Sequence, residues 1–282
     1  MTREALTAST DALRAAGIDE PRLDAELLLA EATGWDRARL AAEPEAEIPP
    51  PAARRFGEMV RRRLRREPLA YIVGRRGFRH IELEVDPRVL IPRPETELLV
   101  ELALELEPRR LLDVGTGSGA VALAVAGELP GCEVVATDTS APALEVAGAN
   151  AQRLGLSGRV ELIEATLPPG AGEFDLVLAN LPYVSEAEWG GLEPEVAEWE
   201  PREALLAGPD GLDAIRSFLS ERVRLFSSYR RKKANSAKGI VALEVGEGQA
   251  VAVGELLREA GFGSIETRAD LAGIDRIVIG RP

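Results

Sequence analysis

The sequence predicts an α/β protein, a doubly wound sheet preceded by a small all-helical domain. Two textures and one loop carry that prediction. From Arg3 to about Glu67 alanine, leucine and arginine dominate, all good helix formers. From Arg110 onward, short apolar runs alternate with amphipathic segments. Between the first of those runs and the segment behind it lies a glycine-rich loop, Asp113-Val114-Gly115-Thr116-Gly117-Ser118-Gly119. The chain has 282 residues, enough for one or two domains, and with 45% hydrophobic and 29% charged residues it can bury a core.

In the first predicted domain, residues 1–70, Leu23, Leu27, Leu28 and Ala30 fall on one helical stripe. Four prolines between Glu43 and Pro51 break the helical run, because proline lacks the amide hydrogen and clashes inside a helix. Residues 71–92 change texture. Ile81, Leu83 and Val85 alternate with Glu82, Glu84 and Asp86, the period of a strand, and predict a β-hairpin linker. Residues 93–282 then read as strand Arg110–Val114, helix Ala120–Leu129, strand Glu133–Thr137, helix Pro142–Leu154, and strands Val160–Ile163 and Phe174–Ala179. Helix Leu212–Phe226, strand Ile240–Val245, helix Gln249–Ala260 and two closing strands near Ser264–Thr267 and Arg276–Ile279 follow. Strands and helices alternating at this spacing build a doubly wound sheet.

Charge narrows the function. Against 47 acidic side chains stand 34 basic ones, a net charge of −13. Residues 1–84 hold 15 of each sign, so the whole excess falls on residues 85–282 and disfavours a phosphate-binding surface there. One cysteine, Cys132, and one histidine, His80, can supply neither an internal disulfide nor a cysteine or multi-histidine metal site. Met1 to Glu20 lacks an apolar signal core and no stretch approaches the ~20 apolar residues of a membrane span, so a cytoplasmic protein is expected.

Two charged segments stand out. Seven arginines, Arg54, Arg55, Arg61, Arg62, Arg63, Arg65 and Arg66, read either as a solvated helix face or as a docking strip for an acidic partner or nucleic acid. Glu186 to Glu203 holds seven glutamates opposed only by Arg202, and reads as a solvated loop or as a cover over a substrate entrance.

The glycine loop follows a strand and opens a helix, where glycines let the backbone approach a ligand and the amides of the helix start point outward. Nineteen residues after Gly119, strand Glu133–Thr137 ends in Asp138, placed to accept hydrogen bonds from a ribose diol. Together these features indicate a nucleoside cofactor. Gly115, Gly117 and Ala120 also fit the dinucleotide pattern G-x-G-x-x-A, so spacing alone does not decide which. Asp113 favours S-adenosylmethionine, which is cationic and carries no pyrophosphate.

After strand Phe174–Ala179 comes Asn180-Leu181-Pro182-Tyr183, past the carboxyl end of a central strand, where open parallel sheets bind ligands. The chemistry that suits such a turn is transfer to a planar nitrogen. That nitrogen is a poor nucleophile because its lone pair is delocalised, and it needs orientation more than a base. The Asn180 side-chain oxygen and the Leu181 carbonyl can hold two N–H bonds, Pro182 stiffens the turn, and Tyr183 offers a flat face. Orientation of this kind contributes on the order of 7–11 kcal/mol.

With these motifs in place, the chain resembles the release factor glutamine methyltransferase family, the protein-(glutamine-N5) methyltransferases, over nearly its whole length. Besides the two turns, the resemblance lies in Glu67-Pro68-Leu69-Ala70-Tyr71-Ile72-Val73-Gly74, in Val89-Leu90-Ile91-Pro92-Arg93-Pro94-Glu95-Thr96-Glu97 and in Glu200-Pro201-Arg202-Glu203-Ala204-Leu205. Ala242-Leu243-Glu244-Val245-Gly246 and Asp270-Leu271-Ala272-Gly273-Ile274-Asp275-Arg276 extend it. It implies a Rossmann-like class I adenosylmethionine-dependent methyltransferase sheet. The implied reaction carries a methyl group from S-adenosylmethionine to the side-chain amide of the glutamine in the Gly-Gly-Gln motif of peptide chain release factors. Gly115, Thr116, Gly117, Ser118, Gly119, Asp138 and Asn180 would bind the cofactor, and Asn180, Leu181, Pro182 and Tyr183 would grip the glutamine. Arg93 to Thr96 would either cover the cofactor pocket or serve as a rigid linker. The helical domain would contact the release factor, which gives the arginine strip a partner; a monomer with no specific nucleic-acid or membrane binding is expected.

Two departures from the family are visible. Leu181 stands where a proline is usual, which leaves its carbonyl available in a less rigid turn. Arg230 to Gly239 is basic and polar where a Leu-x-Pro-Gly-Gly-like turn is usual. The main rivals are an adenine-N6 methyltransferase of DNA or RNA, which the net charge opposes because base flipping needs a cationic groove, and a non-catalytic adenosylmethionine-binding regulator, which would have no use for Asn180 and Tyr183.

Overall fold

Residues 134–137, 176–179 and 240–244 are buried throughout, as in parallel strands covered by helices on both faces. In the computed structural model of the protein, which describes residues 1–168, 174–221 and 239–282, they lie in the central strands of a seven-stranded sheet. The chain forms two compact units, Met1–Arg75 with Glu193–Trp199, and Arg76–Leu192 with Glu200–Pro282.

The first unit contains α1 (Thr2–Ala15), α2 (Pro21–Thr33), α3 (Arg37–Ala42), α4 (Pro50–Leu64) and α5 (Leu69–Val73), with a short helix at Pro194–Trp199. Pro50 and Pro51 open α4, where the missing amide costs nothing. Leu6, Leu13, Leu28, Leu29, Phe56 and Met59 form the core. On α2 the packed face differs from the predicted stripe: Asp24, Ala25, Leu28 and Leu29 are buried, whereas Leu23, Leu27 and Ala30 are half-buried. An inward aspartate is tolerated because α4 brings a cation to it. Arg63 donates from Nε to Asp24 at 2.6 Å, and from Nη1 to the Glu67 carbonyl at 3.1 Å and to Glu195 at 2.9 Å.

The same packing divides the arginine strip. Arg55 pairs with Glu31, Arg62 with Glu67, and Arg66 with Glu193 and Glu195. Arg54, Arg61 and Arg65 are exposed and meet no acidic partner among the described residues. Glu195 of the acidic segment is therefore neutralised within the helical unit by Arg63 and Arg66, while Glu193 meets Arg66 and stays exposed.

Tyr71 and Ile72, read above as the start of the hairpin, belong to α5. Pro68 precedes this helix and Gly74 closes it in a left-handed conformation, φ 78°. The hairpin is β1 (Arg75–Phe78) and β2 (Ile81–Glu84). In the second unit follow α6 (Glu97–Leu106), β3 (Arg110–Val114), α7 (Ala120–Glu128), β4 (Glu133–Asp138), α8 (Ala141–Arg153), β5 (Val160–Glu164) and β6 (Leu176–Ala179). Then come α9 (Asp213–Glu221), β7 (Ile240–Glu244), α10 (Ala250–Glu259), β8 (Ser264–Ala269) and β9 (Asp275–Arg281). The end of the predicted helix Leu212–Phe226 and nearly all of the basic segment Arg230 to Gly239 lie outside the described residues.

The strand order is β5-β4-β3-β6-β7-β9-β8; β3 to β7 are parallel and β9 runs antiparallel to β7 and β8. The chain winds outward from β3 in both directions, so the crevice lies at the carboxyl ends of β3 and β6. Register fixes what meets there. Val114 pairs with Ala179 and Ala179 with Leu243, so the next residues, Gly115, Asn180 and Glu244, stand side by side.

Arg63→Ala should unfold the helical unit at lower urea, losing about 3–5 kcal/mol because Asp24 stays buried without its cation. The double variant Asp24→Leu with Arg63→Met should recover most of the loss. Unchanged stability in Arg63→Ala, read by circular dichroism, would contradict this account of the unit.

Candidate functional site

Three strand ends supply the site, beginning with the loop after β3. Gly117 has φ +56° and no atom within 4 Å of where its Cβ would sit, so its backbone faces open space. Gly119 has φ +85°, and a Cβ there would lie 2.8 Å from Leu123 Cδ1, so glycine lets α7 start tight against the loop. Asn150 of α8, fully buried, supports the loop from behind. Its Nδ2 donates to the carbonyls of Ser118 and Glu84, both at 3.0 Å, and its Oδ1 accepts from Glu84 N at 2.7 Å.

Asp138, at the end of β4, accepts from the amide of Gly117 and from that of Ser140, both at 2.9 Å. Asp113 is 3% exposed, and its Oδ2 accepts from Thr116 Oγ1 at 2.7 Å and from Ala122 N at 3.2 Å. Burial raises its carboxyl to about 6 against the pull of those two donors, and Asp138 nearby adds to the rise. Both carboxylates border a cleft of about 210 Å³.

The turn after β6 closes the other side. Asn180 Nδ2 donates to Thr96 Oγ1 at 3.1 Å, which leaves the side-chain oxygen available as an acceptor. Leu181 packs against the core cluster, and its Cδ2 lies 3.5 Å from where a Gly115 Cβ would be. The Tyr183 carbonyl accepts from Gln249 Nε2 at 2.9 Å. A Cβ on Gly211, φ +76°, would fall 2.2 Å from that same carbonyl. The Tyr183 phenol is pushed up to about 12, by burial first and by Glu244 second, so it stays neutral and is no base at ordinary pH. Glu200 holds the segment opposite, accepting from Ile91 N at 3.0 Å and from Arg93 Nη2 at 2.5 Å.

Of the residues singled out from sequence, Gly115, Thr116, Gly117, Ser118, Asp138, Asn180, Leu181 and Pro182 line the cleft, as do Arg93 and Thr96. Gly119 and Tyr183 do not; the first sits behind the loop and the second is held by Gln249. Sequence reasoning missed Asn150, Gln249 and Glu244 as supports of the site. Only Glu244 left a signal, a charge at the end of the apolar run Ile240 to Leu243.

The donor set suits a cationic nucleoside. Three carboxylates, Asp113, Asp138 and Glu203, border the cleft, and its arginines are occupied, Arg88 by Asp86 and Glu145 and Arg93 by Glu200. No cation is left there to receive a pyrophosphate. S-adenosylmethionine therefore fits the residues present better than a dinucleotide does.

Residues 4–74 match the PrmC N-terminal domain and residues 94–191 the Methyltransferase small domain. The chain is 40% identical over 283 residues to the Release factor glutamine methyltransferase of Caulobacter vibrioides, across 98% of this chain and 95% of that one. With the protein of the same description from Moorella thermoacetica it shares 42% over 281 residues, 97% and 96% of the two chains. Among solved structures, the hMettl16 catalytic domain in complex with the MAT2A 3'UTR hairpin 6 superposes with a TM-score of 0.53 at 15% identity, over 71% of this chain and 75% of that one, a likeness of fold.

Asp113 generates a pH prediction. A cationic ligand beside it favours the ionised carboxylate, so binding below pH 6 must first expel a proton. Affinity for S-adenosylmethionine should rise between pH 5 and 7, with proton release seen calorimetrically in buffers of different ionisation enthalpy. In Asp113→Asn the affinity should be weaker and flat across that range. A wild-type affinity independent of pH would remove Asp113 from the binding of the cation.

Proposed function

This chain belongs to the release factor glutamine methyltransferase family, and from that premise we propose that it methylates the side-chain amide nitrogen of the glutamine in the Gly-Gly-Gln motif of peptide chain release factors. S-adenosylmethionine is the methyl donor, supplying an electrophilic methyl group on a sulfonium. The observation that carries the reading is the anchored Asn180 turn beside an acid-lined cleft.

Gly115 to Ser118, Asp113 and Asp138 hold the donor, with Gly119 setting the start of α7. Asn180 Oδ1 and the Leu181 carbonyl each accept one N–H of the glutamine amide. With both N–H bonds held, the nitrogen lone pair is aimed at the methyl carbon; as the C–N bond forms, the carbon–sulfur bond would break with its electron pair returning to sulfur as a neutral thioether, and the nitrogen, now positively charged, would give one proton to water. Pro182, which lines the cleft, confines the planar group, and Tyr183, its carbonyl held by Gln249, fixes the end of the turn. Arg93, tied to Glu200, keeps the opposite wall in place. An adenine-N6 substrate is not favoured, since an acidic cleft repels a phosphate backbone.

The helical unit takes the docking role in this reading. Arg54, Arg61 and Arg65 lie on one exposed side of α4 and its end, and they are the members of the strip left for an acidic partner. Release factors act in the cytoplasm, which is where this reading places the enzyme; no described helix is long and apolar enough to cross a membrane.

Incubation with methyl-labelled S-adenosylmethionine and a purified release factor should place one label on the Gly-Gly-Gln glutamine, located by mass spectrometry. Label on another residue, or none with bound cofactor, would overturn the reading. Replacing Arg54, Arg61 and Arg65 by glutamate should raise KM for intact release factor and leave cofactor affinity unchanged. Equal turnover at subsaturating release factor would return the stripe to solvent.

A further inference from the structure

A main-chain acceptor points where its backbone is held. In the Asn180 turn the Leu181 carbonyl is such an acceptor, and the two sides of it are fixed differently. Before it, Ala179 is paired with Val114 and Leu243 in the sheet, and Asn180 is bonded to Thr96. Directly after it stands Pro182, which has no amide to donate. Beyond Leu181, the first hydrogen bond on the main chain among the described residues is the one that the Tyr183 carbonyl accepts from Gln249 Nε2, at 2.9 Å.

Gln249 is bound at both ends of its carboxamide. Its Oε1 accepts from the Gly246 amide at 2.9 Å while its Nε2 donates to Tyr183. An amide N–H can only donate and a carbonyl can only accept, so these two partners fix which way round the carboxamide lies. Two glycines make room for it. A Cβ on Gly211 would lie 2.7 Å from Gln249 Nε2, besides striking the Tyr183 carbonyl, and one on Gly246 would lie 3.1 Å from both Gln249 Oε1 and Tyr183 Cδ2. Gln249 does little for its own helix. It occupies the N-cap of α10, where serine, threonine, aspartate and asparagine are favoured because their side chains accept from the first amides, and it makes no such bond. We infer that Gln249 is a positioning residue for methyl transfer, tying the end of β7 to the Asn180 turn and so fixing the direction of the Leu181 carbonyl. This inference rests on the glutamine-methylating reading above.

The bridge matters more in this chain than it would with a proline at position 181. A proline ring would lock φ there near about −65°. Leu181 has no ring, and Pro182 behind it confines it only to the extended region, φ about −120 ± 40°, a span wide enough to swing its carbonyl away from a bound amide. The Leu181 side chain packs against the core, which places the residue but leaves the plane of the Leu181–Pro182 peptide to the torsions on either side. Gln249 narrows those torsions from the far end. It does not line the cleft, so its loss should lower the rate of transfer and spare cofactor affinity.

The test compares wild type with Gln249→Ser, Gln249→Glu and the double variant Gln249→Ser with Leu181→Pro. Single-turnover methylation is followed at saturating S-adenosylmethionine and release factor, with cofactor affinity and Tm measured on the same proteins. Serine is a strong N-cap but too short to reach Tyr183, so it preserves the start of α10 and removes the bridge. Gln249→Ser should melt close to wild type and bind cofactor near-normally, yet transfer the methyl group about tenfold to a hundredfold more slowly, the scale of misplaced reactants. Gln249→Glu keeps the shape and the bond from Gly246 but sets a carboxylate against the Tyr183 carbonyl, and should be as slow. Adding Leu181→Pro to Gln249→Ser should recover several-fold of the lost rate, because ring stiffness replaces the bridge. A wild-type rate in Gln249→Ser, a loss that follows cofactor affinity, or a double variant no faster than Gln249→Ser would overturn the inference. Should the serine variants fail to fold, a wild-type rate in Gln249→Glu would overturn it. A substrate-free readout separates the bridge from the functional reading. The carbon-13 signal of the Leu181 carbonyl should be single and sharp in wild type and shifted or exchange-broadened in Gln249→Ser; an unaltered signal would overturn the bridge. A wild type that methylates no release factor would defeat the functional reading, and this signal would still judge the bridge.

Discussion

Parallel register across β3, β6 and β7 is the constraint on which the site depends. It sets the glycine loop, the Asn180 turn and Glu244 at one level of the sheet, so that the first two line one cleft and the third ends the next strand. No side chain has to reach far. The polar groups collected there are nonetheless an expense to the fold: two carboxyls, Asp113 and Glu244, are buried and pushed up to about 6 and about 7. Structures keep such groups where function requires them.

Rigidity of the turn has identifiable sources. Asn180 is held by Thr96, the Tyr183 carbonyl by Gln249, and Val184 exchanges backbone hydrogen bonds with Leu205 and Ala207 at 2.9 Å each. Leu181, in place of the usual proline, adds packing against the core instead of ring stiffness. The anchors around the turn thus compensate for the backbone freedom that leucine introduces. Neutral Tyr183 and the absence of any need for a strong base fit a reaction governed by orientation.

How much of this was legible in the sequence depended on the span of the interaction. The glycine loop and Asp138 could be read because positive φ and strand ends leave local marks, and the strands from Arg110 onward declared themselves as apolar runs. Thr96 and Asn180 are 84 residues apart, Gln249 and Tyr183 66, and Asn150 and Glu84 66, and no periodicity relates such pairs. The misplaced stripe on α2 has the same origin. Asp24 is buried only because Arg63, 39 residues on, faces it. Glu195 joins the helical unit by meeting that arginine from 132 residues away, which no composition count of the acidic segment could reveal. Tyr71 and Ile72 were misread for a different reason: five apolar residues between Pro68 and Gly74 suit a helical turn as well as a strand, and the left-handed cap at Gly74 decides for the helix.

The central claim is that Asn180 orients a planar nitrogen and does little else, and the rate of a single turnover at saturating S-adenosylmethionine tests it most directly. Asn180→Ala should lower that rate by about 10²–10³, the scale for removing one preorganised polar group, while cofactor affinity changes far less. Asn180→Asp, which keeps an acceptor but stabilises the charged ground state more than the charge-dispersed transition state, should also be slower than wild type and still bind cofactor. A wild-type rate in Asn180→Ala would contradict the account and remove the turn from the chemistry.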